Sequence, residues 1–191
     1  MSTRPEIQPL PRTAPVPATG RRVAAIAIGA ALVAAAAQVE IPIPLTVVPM
    51  TLQDLAVLAV GGLLGPAAGA AALVTYLTTG ALGLPVFAGG GAGFLHLMGP
   101  TGGYLLAFPV AAAVMGALVG PTPRFVRALG AAGVAMAVVH IGGIAQLAVL
   151  TGDLEAAVRL GSVPFLGVST LKAGLAAALV AGVHPTVSKL L

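Results

Sequence analysis

Apolar residues run along this chain in long blocks separated by short polar or backbone-breaking stretches. The longest block is extreme: between Leu55 and Pro123, sixty-nine residues pass without a single Asp, Glu, Lys or Arg. A chain this apolar belongs in lipid, where backbone N–H and C=O groups must be bonded internally and helix is the default. A membrane-spanning helix needs about 20 apolar residues, fewer where its flanks snorkel. The blocks predict six spans, at residues 22–39, 51–64, 67–83, 103–120, 126–150 and 164–186. Between them lie Ile41-Pro42-Ile43-Pro44, Gly65-Pro66, a glycine-rich run from Phe87 to Tyr104, Gly120-Pro121-Thr122-Pro123 and Thr151-Gly152-Asp153, each a combination that interrupts a helix. The second and third spans are short and also read as one kinked helix.

Charge decides between those counts. Six spans with both termini inside place Arg4, Arg12, Arg21, Arg22, Arg124, Arg127 and Lys189 on the cytoplasmic side, seven of the nine basic residues. Arg159, Glu40, Asp153 and Glu155 fall outside. This is the distribution the positive-inside rule requires. Merging the second and third spans would move Arg124 and Arg127 outside, so six is the better count. The expected fold is therefore all-α: a polytopic membrane protein of six transmembrane helices with both termini cytoplasmic.

Composition narrows the function classes. Hydrophobic residues make up 58% of the chain and charged residues 7%, against about 25% charged in soluble domains. The basic residues are scattered, Trp is absent and Tyr occurs twice, which gives no footprint for nucleic acid. With no cysteine, disulfides, thiolate metal sites and Cys nucleophiles are excluded. Residues 1–21, rich in proline and polar residues, read as a disordered cytoplasmic tail, leaving 22–191 as the membrane domain. Arg21-Arg22 before an apolar run has the form of a secretory or twin-arginine signal, but the later spans make it the start of the first membrane helix.

Small residues recur at helix-packing spacing: Ala27, Ala31 and Ala35; Gly61, Gly65 and Gly69; Gly116 and Gly120. Such spacing lets helix backbones approach closely, within the bundle or against a partner. The alanine series on the first helix is the strongest candidate for a partner surface.

Lys172 is the most informative residue. It stands eight residues into the last span, about 12 Å deep at 1.5 Å per residue. A lysine there should face the interior and meet an anion. Asp54 is the candidate counter-charge, with Glu40 further out; failing both, a ligand carboxylate is the missing anion. Thr51 reads as a helix N-cap with Gln53 and Asp54 in the first turn. The Gln53 amide offers both a donor and an acceptor, as an amide- or urea-containing ligand requires. The glycine run contains no phosphate-binding pattern. Irregular backbone at membrane depth is tolerated only when buried in protein or lining a wet cavity, and glycine lets main-chain N–H groups approach a ligand. Enzymatic readings fare poorly. His96, His140 and His184 have no i,i+4 partner, and His140 is expected to pack or hydrogen-bond within the bundle. Ser169 and Lys172 share a helical face, but an intramembrane Ser-Lys hydrolase lacks a visible third group to orient the pair.

Several motifs together resemble the BioY family, the biotin-binding membrane subunits (S-components) of energy-coupling-factor (ECF) vitamin transporters. They are Ile41-Pro42-Ile43-Pro44, Val48-Pro49-Met50-Thr51-Leu52-Gln53, Gly83-Leu84-Pro85-Val86-Phe87-Ala88-Gly89-Gly90, Gly99-Pro100-Thr101-Gly102-Gly103-Tyr104, and Pro164-Phe165 with Lys172. The resemblance covers about residues 23–186. It implies a six-helix S-component in the cell membrane of a prokaryote, with biotin held in an outward pocket capped by loops. It implies no cofactor, and ATP hydrolysis by partners: a membrane T-component and two cytoplasmic ATPases, the T-component meeting Ala27, Ala31 and Ala35. The implied ligand contacts are Thr51, Gln53, Phe87, Gly89, Gly90, Gly91, Tyr104, Ser169 and Lys172. One position departs from the family pattern. Its last motif resembles Pro-Phe-x-Pro-Gly-Asp-x-x-Lys, and here Ser169 replaces the aspartate, removing a charge beside Lys172 and making an acidic ligand its more natural partner. A different small carboxylated vitamin is the alternative ligand.

Overall fold

Helix is the dominant local solution, as a lipid-soluble backbone demands. The structure, a computed structural model, describes residues 17–41, 46 and 48–188. Its helices are α1 (Ala18–Ala37), α2 (Gln53–Ala81), α3 (Gly102–Val119), α4 (Phe125–Thr151), α5 (Leu154–Gly161) and α6 (Leu166–Val187). Helix α1 begins at Ala18, so residues 18–21, expected in the tail, are helical; residues 1–16, Pro42–Pro44 of the proline motif, and Lys189 lie outside the described residues. The all-α expectation needs one amendment: Glu40–Ile41 (β1) and Met50–Thr51 (β2) pair antiparallel, with Glu40 opposite Thr51. The flanks of the proline-rich sequence thus meet as extended chain.

Among the described residues, five helical stretches are long and apolar enough to cross a membrane, with α5 and α6 counted as one. The sequence pattern led us to expect six. The difference lies in α2, where the second and third expected spans are a single helical stretch. Only Gly65 leaves helical geometry (φ 79°, ψ 176°), a conformation essentially confined to glycine. Pro66 follows directly, its fixed φ suited to starting a helix. The stretch is nonetheless bent back on itself. The Gln53 amide donates to Tyr76 Oη at 2.5 Å, whereas 23 residues of straight helix would separate them by about 35 Å. A Cβ on Gly69 would lie 2.9 Å from Gly61 Cα. Residues 53–64 and 66–81 are therefore two antiparallel limbs joined at Gly65. The Gly61, Gly65, Gly69 series is thus a turn and the contact across it, not one face of a straight helix.

Small residues set the packing throughout. A Cβ on Gly61 would lie 2.5 Å from the Ala112 carbonyl oxygen of α3, and one on Gly116 would meet Gly65 and Pro66 at 2.5 Å. Around these close approaches Val57, Leu58, Leu73, Tyr76, Met115 and Val180 are fully buried. Helix α1 contributes Gly29, Ala30, Val33 and Ala37 to the core, while Ala27, Ala31 and Ala35 lie on its exposed face. Large apolar side chains also point outward: Ile28, Val110, Val126, Ile141, Leu171 and Leu175 are each more than half exposed. In water each would forgo roughly 1.5–3 kcal/mol of burial; hydrocarbon surroundings remove that cost, and this is the outer face of a membrane protein.

The two ends of the bundle differ in charge. Arg22 lies beside Leu64 and Ala68 at the Gly65 turn, and Gly116, near the end of α3, packs on the same turn. Arg127 Nε donates to the Leu118 carbonyl at 2.8 Å, satisfying an orphan group at the α3 C-terminus, where a cation suits the helix dipole. The acidic residues of the described chain lie away from this turn, in or beside the connections β1, β2 and α4–α5 and in the first turn of α2.

Candidate functional site

At the end opposite the Gly65 turn, the first limb of α2, the start of α3, the middle of α4 and the start of α6 surround a cavity of about 50 Å³, within about 580 Å³ of empty space that includes open solvent at its mouth. Its walls include Val48, Met50, Thr51, Gln53 and Asp54 from the ribbon and α2. Ala88, His96 and Thr101 come from the loop before α3, with Tyr104, Leu105 and Phe108 from α3. Val139 and His140 belong to α4, and Phe165, Ser169 and Lys172 close the wall from the α6 side.

Lys172 lies in the second turn of α6, six residues from its start, and is only 5% exposed. Its ammonium donates to Asp54 Oδ2 at 2.9 Å and to the Thr51 carbonyl at 2.6 Å. Asp54 is thus the counter-charge, and Glu40 is not. The pairing is the one expected first, and it leaves the ligand-carboxylate alternative without a role as counter-charge: although Ser169 replaces the family aspartate, the lysine is paired from another helix. The pair brings no net charge to the cavity.

Thr51 and Gln53 are buried, at 6% and 5% exposure. Leu52 is the N-cap of α2, one residue later than expected, and Thr51 Oγ1 accepts from the Gln53 backbone N–H at 3.2 Å. The Gln53 amide is engaged on both sides: its Oε1 accepts from Thr51 Oγ1 at 3.1 Å and its Nε2 donates to Tyr76 Oη. Tyr76 donates in turn to the Val86 carbonyl at 3.3 Å. Gln53 therefore lines the cavity while tying the limbs of α2 to the loop that follows.

Ser169 does not bond Lys172. Its Oγ meets His140 Nε2 at 3.1 Å, and Lys172 turns to Asp54, so no Ser-Lys dyad forms. The Tyr104 hydroxyl donates to the Gly161 carbonyl at 2.5 Å, fastening α3 to the end of α5, and its ring stands edge-on to His140 with centroids 6.5 Å apart. His140, expected to pack or hydrogen-bond within the bundle, does bond Ser169 there and in addition lines the cavity, which the sequence reading did not assign to it. Its pairing with Ser169 joins positions 29 apart on separate helices, and the one signal was a histidine in an otherwise apolar span.

The glycine run is folded rather than open. It forms two 3-10 turns, Ala88–Gly90 and Phe94–Met98, with positive φ at Gly89, Gly90 and Gly93. Phe87 is fully buried, edge-on to Tyr76 and stacked on His96 at 4.9 Å. The N–H of Gly90 goes to the Phe87 carbonyl, that of Gly91 to Ala88 and that of Gly93 to Gly80. These donors were expected to be free for a ligand; turn closure takes those of Gly90 and Gly91, and the end of α2 takes that of Gly93. Ala88 and His96 reach the cavity wall, while Phe87, Gly89, Gly90 and Gly91 do not line it. Burial pulls the His96 imidazole below its usual value, keeping the ring neutral against Phe87.

Lipid-facing helices packed around a cavity near one end define a multi-pass membrane protein. The chain belongs to the BioY family, whose pattern matches residues 10–189. It is similar to a probable biotin transporter, BioY, of Pyrococcus horikoshii, 36% identical over 82% of this chain and 91% of the relative. It is also similar to the biotin transporter BioY of Thermotoga maritima, 37% identical over 72% of this chain and 81% of the relative. Its fold matches a crystal structure of the S-component for biotin from an ECF-type ABC transporter, with a TM-score of 0.80 at 24% identity, over 86% of this chain and 91% of that one. These relatives are named as transporters, not enzymes, in keeping with the separation of Ser169 from Lys172.

Proposed function

We propose that this chain is the biotin-binding S-component of an ECF-type uptake transporter in a prokaryotic cell membrane. The observation that carries the reading is the cavity itself, whose lining combines apolar and aromatic residues such as Val48, Phe108 and Phe165 with the Lys172–Asp54 pair, Ser169 and His140. Biotin has an apolar body between a neutral ureido ring and a carboxylate, and this lining offers groups for both kinds of surface. Thr51, Gln53, Tyr104, Ser169 and Lys172 line the space directly, with Phe87 and Gly89–Gly91 in the loop that contributes Ala88 and His96 to the wall.

Six crossings with both termini cytoplasmic remain our reading of the topology. The fold-back at Gly65 supports it: each limb of α2 runs opposite to the other, so the two together return the chain to the side on which it entered. Arg22 beside the Gly65 turn and Arg127 at the α3–α4 connection then share the cytoplasmic face, as the positive-inside rule requires, and the cavity opens outward. Ala27, Ala31 and Ala35, exposed along α1, present the closely approachable surface that a T-component helix needs, and two cytoplasmic ATPases supply the energy. Titration of the purified full chain with biotin tests the central statement. Saturable binding at or below micromolar concentration is expected, and its absence would sink the proposal.

A further inference from the structure

The connection between α2 and α3, residues 82–101, carries no Asp, Glu, Lys or Arg, yet the rest of the protein does not shelter it. Leu82 is 78% exposed, Leu84 53%, Phe94 61%, Leu95 82% and Met98 47%. Ala88 and His96 face the cavity, so these large apolar side chains form the other side of the loop. The β1–β2 ribbon and the α4–α5 connection, at the same end of the bundle, hold Glu40, Asp153 and Glu155 instead.

Helix lengths place the loop at membrane depth. The second limb of α2, residues 66–81, rises about 24 Å, and the 18 residues of α3 rise about 27 Å. Both are counted from the Gly65 turn, where Arg22 is a charge that stays at the hydrocarbon edge. Neither helix crosses a hydrocarbon core of about 30 Å, and tilt shortens the reach further. Helix α4, with 27 residues and about 40 Å of rise, has length to spare. The chain thus leaves α2 and enters α3 while still inside the leaflet at the cavity end.

Irregular backbone at that depth is tolerated only where protein satisfies it, and here protein does. The N–H groups of Phe87, Gly90, Gly91, His96 and Gly99 close on carbonyls of the loop itself, and that of Gly93 on Gly80. Side-chain amides cover carbonyls that water would serve on a solvated loop. Gln38, at the end of α1, donates to Val86 and Phe87 at 3.3 Å, and Gln146 of α4 donates to Leu97 and Gly99. One corner reaches the water level: Glu40 Oε2 would lie 3.1 Å from a Cβ on Gly89, which sets that corner against the headgroups.

We infer that the outer side of this loop, Leu82, Leu84, Phe94, Leu95 and Met98, is sunk among lipid acyl chains, so that one wall of the cavity is backed by hydrocarbon and not by water. Acyl chains are the occupant because the patch continues the lipid-facing stripe of the helix before it. Val74, Thr78 and Leu82 are exposed at successive turns, and the Thr78 hydroxyl is turned back onto the Val74 carbonyl at 2.8 Å, the bond a hydroxyl needs in lipid. The inference rests on the membrane reading of the fold and not on the identity of the ligand.

The chain has no Trp, so a single introduced one reports its own surroundings. Leu95→Trp and Phe94→Trp, with Leu175→Trp on the exposed flank of α6 as the lipid reference, are reconstituted in vesicles of phosphatidylcholine brominated near the headgroup end of its acyl chains. Both loop variants should show at least about half of the bromolipid quenching of Leu175→Trp, with acrylamide quenching severalfold weaker than that of free N-acetyltryptophanamide. Phe94→Trp exchanges one exposed aromatic ring for another and carries the test should Leu95→Trp fail to elute as a folded monodisperse species. Acrylamide quenching equal to that of the free indole, with no effect of bromine, overturns the inference and leaves the loop in water. Protection from acrylamide without quenching by bromine overturns it too, the patch then being covered by protein. If Leu175→Trp itself escapes the bromine, the membrane reading falls and the inference with it, whereas the biotin titration above stands apart from all three results.

Discussion

Replacing Asp54 with Asn and Lys172 with Met, singly and together, measures the buried ion pair directly. The Lys172 ammonium sits 2.9 Å from Asp54 Oδ2, with side-chain exposures of 6% and 22%. Removing one partner of a buried pair typically costs about 3–5 kcal/mol, because the surviving charge is left without compensation. The two single changes should nevertheless differ. Asp54→Asn strands an ammonium with almost no access to water, so it should cost about 3–5 kcal/mol. Lys172→Met strands a carboxylate that water partly reaches, and screening lowers the expected cost to about 1–3 kcal/mol. The double variant removes both charges and should cost less than Asp54→Asn alone, giving a coupling of about 2–4 kcal/mol in the double-mutant cycle. Unfolding of the four proteins in one detergent, followed by far-ultraviolet circular dichroism, supplies the measurement. Additivity within about 0.5 kcal/mol, or a costlier Lys172→Met than Asp54→Asn, would refute the argument from unequal burial.

Three further outcomes are expected. Gly65→Ala places a Cβ where φ is 79° and ψ 176°; the strain of about 1–3 kcal/mol should lower the yield of folded protein and its denaturation midpoint, and an unchanged midpoint would mean the limbs of α2 do not depend on that corner. Ala31→Leu, on the exposed face of α1, should leave biotin binding intact while reducing uptake by cells supplying the partner subunits; unimpaired uptake would remove the alanine face from the partner surface. The loop carrying His96 should be pH-sensitive. Because burial lowers the folded pKa of His96 below 6.5, the unfolded loop takes up the proton more readily, so stability is full above about 6.5 and is lost as pH falls toward the lower folded value. Hydrogen-exchange protection factors across 88–99 should therefore be lower at about pH 5.5 than at about pH 7.5, and His96→Gln should abolish the difference.

How much of this was legible beforehand depends on whether the signal is local. Lys172 announced itself as an isolated charge in an apolar span, and the rule that such a charge needs a partner pointed to Asp54 as well as Glu40. The breakers at Gly65-Pro66 and Gly120-Pro121 marked real helix ends because backbone conformation is decided within a few residues. What could not be read was register between helices. These helices are apolar on nearly every face, so no amphipathic stripe says which side turns inward, and nothing near His140 in sequence points to Ser169, nor near Gln53 to Tyr76. The glycine run misled in the opposite direction: its flexibility suggested free N–H groups, whereas three-residue turns closed on them.

That closed loop bears on how fast a bound molecule comes and goes. Its internal bonds make residues 87–99 a small folded unit, held to the bundle by the Gly93 N–H on the Gly80 carbonyl, the Gln38 amide on the Phe87 carbonyl, the Gln146 amide on the carbonyls of Leu97 and Gly99 at 3.0 and 2.6 Å, and the burial of Phe87 and Leu97 in the core. Widening the cavity on this side would require these bonds to break and Phe87 and Leu97 to leave the core, so the access of a solute would be governed by those anchors and not by the flexibility of the glycines between them.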